Sequence, residues 1–135
     1  MEAVAIHDEK PNGVLDVDLI DVLRLCEQEA LSSSWRIRNV DCLGILMEEF
    51  MRLGEAKATI SGAELLRLAA GVYQIIWGDF EAYRPGADHF WLVVRAIDSS
   101  FYVVITDDAE LLDRVRIHFS DVRPSPEDTA YPDGL

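Results

Sequence analysis

The spacing of hydrophobic residues near the N-terminus predicts two short strands. Val4 and Ile6 occupy alternate positions, and Leu15 and Val17 do the same after the turn-forming sequence at 11–13. Alternation with period two is typical of half-buried strands, and Pro-Asn-Gly favours a tight reversal of the chain. The pattern therefore predicts an N-terminal β-hairpin.

The middle of the chain changes to apolar residues spaced three and four positions apart, which predicts three amphipathic helices. They run from Asp18 to the serines at 32–34, from Asp41 to Gly54, and from the capping box that opens at Ser61 to Gly78. Asp and Ser are favoured N-caps, and Gly commonly follows a helix C-terminus. The short segment from Trp35 to Val40 lies between the first two helices and is expected to be extended.

A second hairpin and a last helix follow. Segments 89–97 and 101–106 are apolar at nearly every position, so both strands are expected to be covered on both faces or to lie at a junction of sheet and helix. Asp107 and Glu110 have the capping-box spacing for a helix that reaches Phe119, and 119–123 could add a short strand.

The predicted order is therefore ββ-α-α-α-ββ-α, which is the pattern of an α+β fold. Hairpins separated by helices favour an antiparallel sheet, built here from two hairpins with about four helices packed on it. We expect one domain over residues 1–123. Residues 124–135 are rich in Pro, Ser, Asp and Gly, and we expect them to form a flexible C-terminal tail.

Charge limits the classes of partner. The 135 residues hold 12 Lys and Arg against 25 Asp and Glu, a net charge of -13. Such a surface repels nucleic-acid backbones and anionic membranes, so we expect neither partner. No apolar run approaches the ~20 residues of a membrane span. The N-terminus does not resemble a signal peptide, and neither cysteine lies in a metal-binding spacing, so we expect a cytoplasmic protein with free thiols.

The motifs that identify common chemistries do not occur in the sequence. It has no GxGxxG, GxxxxGK[ST], GxSxG or HExxH, and its three histidines are far apart. The sequence accordingly predicts no catalytic residue, no metal site and no cofactor, and it favours a protein without enzymatic activity.

Two segments remain as candidate binding sites. The junction at 77–89 combines aromatic, acidic and basic side chains: Trp77, Asp79, Glu81, Tyr83, Arg84 and His89. There an acid could act as a base or polar anchor, Arg84 could hold an anion and His89 could transfer a proton. The second segment contains Trp35, Arg36 and Arg38, residue types that are enriched at interface hot spots. In both segments a simpler account is that the aromatic residues pack on the core and the charged ones face solvent.

Three functional hypotheses follow. The first is a non-catalytic protein-interaction or regulatory module that binds an unknown, basic protein, for which an immunity-type inhibitor is one version by analogy of charge and size. The second is a small-molecule-binding domain or enzyme that uses the 77–89 junction; an enclosed pocket joining Asp79, Arg84 and His89 would favour it. The third is a self-associating structural domain, which an exposed apolar patch or an unpaired sheet edge would favour.

Overall fold

The computed structural model describes residues 1–125, which form five helices and seven strands. In chain order they are β1 (Glu2–Ile6), α1 (Leu19–Leu25), α2 (Glu27–Ser32), β2 (Ser34–Leu43), α3 (Met47–Glu55), β3 (Thr59–Ser61), α4 (Gly62–Ala70), β4 (Gln74–Tyr83), β5 (Leu92–Ile97), β6 (Phe101–Thr106), α5 (Ala109–His118) and β7 (Val122–Ser125).

The strands form one antiparallel sheet in the order β3-β2-β4-β5-β6-β1-β7. The α+β class with an antiparallel sheet is therefore confirmed. The sheet is larger than the two predicted hairpins, since β1 pairs with β6 on one side and with β7 on the other. The strands β5 and β6 are consecutive in the chain and pair as a hairpin. The strand β1, in contrast, pairs with strands from the opposite end of the chain.

The two faces of the sheet are buried in different ways. One face packs against all five helices and forms the main core, in which Trp35, Ile37, Phe80 and Tyr102 are almost fully buried. The second face carries a smaller apolar cluster of Ala3, Val93, Val103 and Ile105. Both clusters are buried, so the prediction that β5 and β6 are covered on both faces is confirmed. None of the described helices contributes to the second cluster.

The predicted N-terminal hairpin is wrong. Residues 15–17 are not a strand, and a single bridge between Glu9 and Leu15 is the pairing found there. The reason is that β6 and β7 take both edges of β1. Val17 is buried instead in the main core, where Leu15 also packs.

The second and third predicted helices have wrong boundaries. Asp41 does not cap a helix, because β2 continues to Leu43 along β4 and the following helix begins at Met47. The third helix ends at Ala70 and not at Gly78, since Gln74–Tyr83 forms the long strand β4. A Cβ atom on Gly71 would overlap the Leu46 side chain, so this close approach requires the glycine where α4 ends.

The first helix begins where the sequence predicts. The Asp18 carboxylate caps α1, and Asp21 returns a bond to the backbone N–H of Asp18 at 2.9 Å, which completes a capping box. The predicted single helix is interrupted at Cys26, whose backbone leaves the helical region before α2 begins.

Two further caps were predicted, one correctly. Ser61 Oγ accepts from Glu64 N at 3.1 Å and caps α4 as predicted. The Glu64 carboxylate accepts from Arg67 and does not return to the cap, so only half of the predicted box is formed. Asp108, not Asp107, caps α5, because its carboxylate accepts from the N–H groups of residues 110 and 111.

The hairpin of β5 and β6 is confirmed, although β5 begins at Leu92 and not at His89. Asp98 and Ser99 form its turn with φ of 50° and 56°, the left-handed values of the turns that join twisted strands. A short strand after α5 is present as β7, which includes Pro124 and Ser125 from the predicted tail. The remainder of that tail lies outside the described residues. Within residues 1–125 no helix is long and apolar enough to cross a membrane.

Candidate functional site

Strands β2, β4 and β5 bring charged side chains together on the second face of the sheet. The antiparallel register sets Arg36 opposite Glu81, and Arg38 opposite Asp79. On the other side of β4, Asp79 lies opposite Arg95. Side chains directly opposite on adjacent strands are close neighbours, so these strands form a compact cluster of alternating charge.

The carboxylates of this cluster are held by ion pairs and one amide. Arg38 Nη2 lies 2.9 Å from Glu81 Oε1, and Arg95 Nε lies 3.0 Å from Asp79 Oδ1. Asn39 Nδ2 donates to the other Asp79 oxygen, Oδ2, at 2.9 Å. Both acids are largely buried, so their orientation is fixed by these contacts and not by solvent.

Arg95 lies at the centre of the cluster and is fully buried. Burial lowers the pKa of Arg95 to about 10, although the carboxylates of Asp79 and Glu81 favour the charged form. The guanidinium therefore remains protonated at neutral pH. The protonated Arg95 and the neighbouring Asp79 carboxylate therefore form a buried ion pair between adjacent strands of the sheet.

Sequence reasoning missed Arg95 and Asn39. Arg95 is the one charged residue within the apolar strand Leu92–Ile97, and that interruption was a usable signal. Asn39 has a left-handed φ of 57° at the irregular step of β2 after Arg38. Asn tolerates this conformation better than most residues, but a bulge of this kind depends on the partner strand.

The remaining predicted site residues lie elsewhere. Trp35 points into the main core on the opposite face, where its indole N–H donates to the Ala30 carbonyl at 3.0 Å. Trp77 lies at the far end of β4 from Tyr83, whose ring contacts Phe90 edge-on. These three aromatic residues therefore do not form a common surface.

Arg84 and His89 line a separate groove beyond the end of β4. Its volume is about 750 Å³, and Asp107 and Asp108 lie on its other side. The Arg84 guanidinium stacks over the Trp91 ring at 4.4 Å, and His89 Nδ1 lies 2.9 Å from the Phe90 carbonyl oxygen. Asp79 does not line this groove, so the pocket joining Asp79, Arg84 and His89 that would favour a small-molecule site is not found here.

Exposed apolar side chains cluster at the opposite end of the sheet, and we call this surface the end patch. Its members are Leu43, Ile45, Tyr73 and Trp77, with exposed fractions of 37%, 96%, 72% and 41%. Backbone pairing holds their segments together. Tyr73 N donates to Leu43 O at 2.9 Å, and Trp77 lies opposite Asp41 in the sheet.

Sequence reasoning included only Trp77 from the end patch. Tyr73 and Trp77 were placed in a predicted helix, and Leu43 was counted in the apolar face of another. With these helix assignments the patch could not be recognised from the sequence, because its residues become neighbours only through the pairing of β2 with β4.

No three His, Cys, Asp or Glu side chains among residues 1–125 are close enough to hold a metal ion. No protein family, no curated protein and no solved structure gives a significant match to this chain.

Proposed function

We propose that this protein is a non-catalytic interaction module that binds a basic protein. The observation that carries the proposal is the pairing of the acids in the 77–89 segment. Asp79 is held by Arg95 and Asn39, and Glu81 by Arg38. A general base needs a carboxylate that can reach a substrate proton, whereas these two are already engaged in the sheet.

The positions of the other polar residues support the same proposal. Arg84 and His89 lie in a groove that Asp107 and Asp108 line and Asp79 does not, so the acid predicted to work with them is absent from the groove. This arrangement favours the interaction module over an enzyme that uses the junction. It leaves the Arg84–His89 groove as the candidate surface of this segment for a small-molecule ligand.

Charge supports a basic partner. A net charge of -13 attracts a cationic protein from a distance and raises its association rate. The same charge disfavours DNA, RNA and anionic membranes, since each needs cations on the protein. Inhibition of a basic nuclease or toxin is one function that would use this attraction.

The two cysteines suit a cytoplasmic location. Cys26 and Cys42 are both buried and free in the described structure. Free thiols persist in a reducing compartment, so we propose that the module acts there.

The test is affinity capture from the native host, followed by binding measurements with the purified partner. We expect a partner with a high isoelectric point, whose association rate falls steeply as salt rises from 0.1 to 0.5 M. Immobilised protein in which exposed carboxylates such as Glu27 and Glu55 are replaced by Gln provides the control and should associate more slowly. Capture of only acidic proteins, or tight RNA binding at 0.15 M salt, would contradict the proposal.

A further inference from the structure

We propose that the end patch is the docking surface of this module, and that it receives an apolar anchor flanked by lysine or arginine on the partner. The inference rests on the proposed function and adds the location and chemistry of the contact. The end patch consists of Leu43, Ile45, Tyr73 and Trp77.

The patch combines exposed apolar side chains whose backbone segments are neighbours in the fold. Single exposed apolar side chains are common on soluble proteins, whereas adjacent ones mark interaction surfaces. Leu43 and Ile45 are two residues apart, and Tyr73 is tied to Leu43 by a backbone hydrogen bond. Trp77 completes the group on the neighbouring strand. Tyr and Trp are also among the residue types that contribute most energy to interfaces.

The two turns that carry Ile45 and Tyr73 pack closely against each other, so the surface is already formed in the unbound protein. Gly44 has a φ of +146°, and a Cβ atom there would lie within 3.0 Å of the backbone of Gly71 and Val72. Leu46 N donates to Gly71 O at 3.0 Å, and this hydrogen bond holds the same two backbone segments together. The turn that projects Ile45 is therefore packed directly against the turn that projects Tyr73. A preformed surface loses less conformational entropy when it binds.

Three exposed carboxylates lie beside the patch, where Lys10 also lines a pocket with Tyr73, and this excess of acids indicates the charge of its partner. Asp41 lies directly opposite Trp77, and Glu48 follows Ile45 in the first turn of α3. Asp98 lies in the hairpin turn whose Ser99 N–H donates to Ile76 O at 3.1 Å. All three acids are exposed. A partner that buries the patch would bring its own rim against these carboxylates, so Lys and Arg are favoured there.

The same rim argues against a second copy of this chain as the occupant. Two end patches in contact would place Asp41, Glu48 and Asp98 against identical acids, in a chain whose net charge is already -13. Like charges across an interface disfavour association. The two edge strands of the sheet are also poor surfaces for pairing with a second copy, since β3 has three residues and β7 contains Pro124, which lacks a backbone N–H.

Trp77 provides a direct readout of the patch. Trp35 and Trp91 are buried, whereas 41% of Trp77 is exposed, so a change in indole fluorescence on binding reports mainly on this residue. The probe is a synthetic amphipathic helical peptide with a leucine face flanked by lysines. Two matched peptides serve as controls, one with serine for leucine and one with glutamate for lysine.

We expect the leucine–lysine peptide to blue-shift the emission and both control peptides to bind ~tenfold more weakly or worse. Ile45→Ser combined with Tyr73→Ser should weaken binding to a similar extent. Ile117→Ser is the matched control variant, because Ile117 is 84% exposed on α5, away from the patch, and should leave binding unchanged. Circular dichroism confirms that each variant is folded.

The outcomes separate this inference from the proposed function. Equal binding of the serine peptide, or equal loss in the Ile117 variant, overturns the end patch as the docking surface. A native basic partner that is retained by the Ile45/Tyr73 variant also overturns it, while the proposed function stands. A wild-type protein that captures no basic partner overturns the proposed function itself. Formation of a dimer through the patch at 0.1 M salt would show that the patch binds a second copy of this chain and not a basic partner.

Discussion

At the scale of single residues, Asp18 shows how one side chain serves a helix and the sheet together. It caps α1, and Tyr102 Oη on β6 donates to its Oδ1 at 2.6 Å. The same hydroxyl accepts from Leu19 N at 3.0 Å. The sequence pattern predicted the cap, since Asp before an amphipathic stretch is a strong start signal. It could not predict Tyr102, which lies 84 residues away.

We expect Asp18→Ala to destabilise the protein by ~2 kcal/mol, because the N-cap is lost and the buried Tyr102 hydroxyl loses its acceptor. Burial raises the pKa of Asp18, because desolvation disfavours the ionised carboxylate. Asp18→Asn keeps an acceptor without that charge and should lie within ~0.5 kcal/mol of the wild type. Urea denaturation of both variants measures the difference. Equal losses in Ala and Asn would assign the effect to charge and not to capping.

The two cysteines should be unreactive until the protein unfolds. Burial raises the pKa of Cys26 to about 12 and that of Cys42 to about 11, from an ordinary value of 9.0. The thiolate is the reactive form, so thiol titration near neutral pH should be slow in the folded protein and should count two groups in denaturant. Rapid reaction of both thiols in the native protein would contradict their burial.

The same shifts predict a loss of stability in alkaline solution. The folded protein keeps its thiol protons to higher pH than the unfolded chain, which releases them near pH 9.0. The stabilising contribution is therefore complete below that pH and is lost as pH rises through about 11 and 12. Denaturation midpoints measured for Cys26→Ala and Cys42→Ala should show a weaker alkaline decline than the wild type.

At the scale of elements, prediction succeeded where local sequence and tertiary pairing agree. The β5–β6 hairpin combines dense β-branched residues with a short turn, and both signals are local. It failed for β4, because the spacing of Leu65, Leu68 and Val72 continues without interruption to Ile76 and resembles one long helix. Pairing with both β2 and β5 overrides that pattern. The 77–89 candidate site was therefore treated as a junction between elements, although both of its candidate acids, Asp79 and Glu81, lie in the central strand β4.

The charge cluster of β4 and β5 should be energetically coupled across the strands. In a double-mutant cycle we expect Asp79→Asn and Arg95→Met each to cost ~3 kcal/mol, and the pair to cost ~1–3 kcal/mol less than their sum. The exposed pair Glu110–Arg114 on α5, with nitrogen and oxygen 2.6 Å apart, is the control and should couple by ~0.5 kcal/mol or less. Additive losses at Asp79 and Arg95 would show that the two contribute separately.

At the scale of the whole molecule, the candidate surfaces depend on strand order, which the sequence does not encode locally. The sequence identified Arg36, Arg38, Asp79 and Glu81 as notable residues, but their pairing follows from β2 lying beside β4. The end patch depends on the same neighbours. Arg84 and His89 are close to Asp79 in the chain yet lie apart from it, because β4 extends through Tyr83 and carries them past the end of the sheet.

The net charge disfavours self-association, whereas the end patch favours it. The dependence of self-association on salt concentration should show which effect is stronger. At 0.1 M salt the screening length is ~10 Å, so a net charge of -13 keeps copies apart, and we expect a monomer in sedimentation equilibrium. At 1 M salt the screening length falls to ~3 Å, and the exposed side chains at the end patch should then produce weak dimers.

Ile45→Glu should abolish this salt-induced association, because it places a charge at the most exposed apolar position of the patch. Ile117→Glu adds the same charge on α5 and should reduce association only slightly, since Ile117 lies outside the patch. A dimer that is stable at 0.1 M salt and persists in the Ile45 variant would place self-association on another surface. Apolar contacts strengthen with salt and ionic contacts weaken, so the sign of the salt dependence separates a second copy from the basic partner proposed for the same surface.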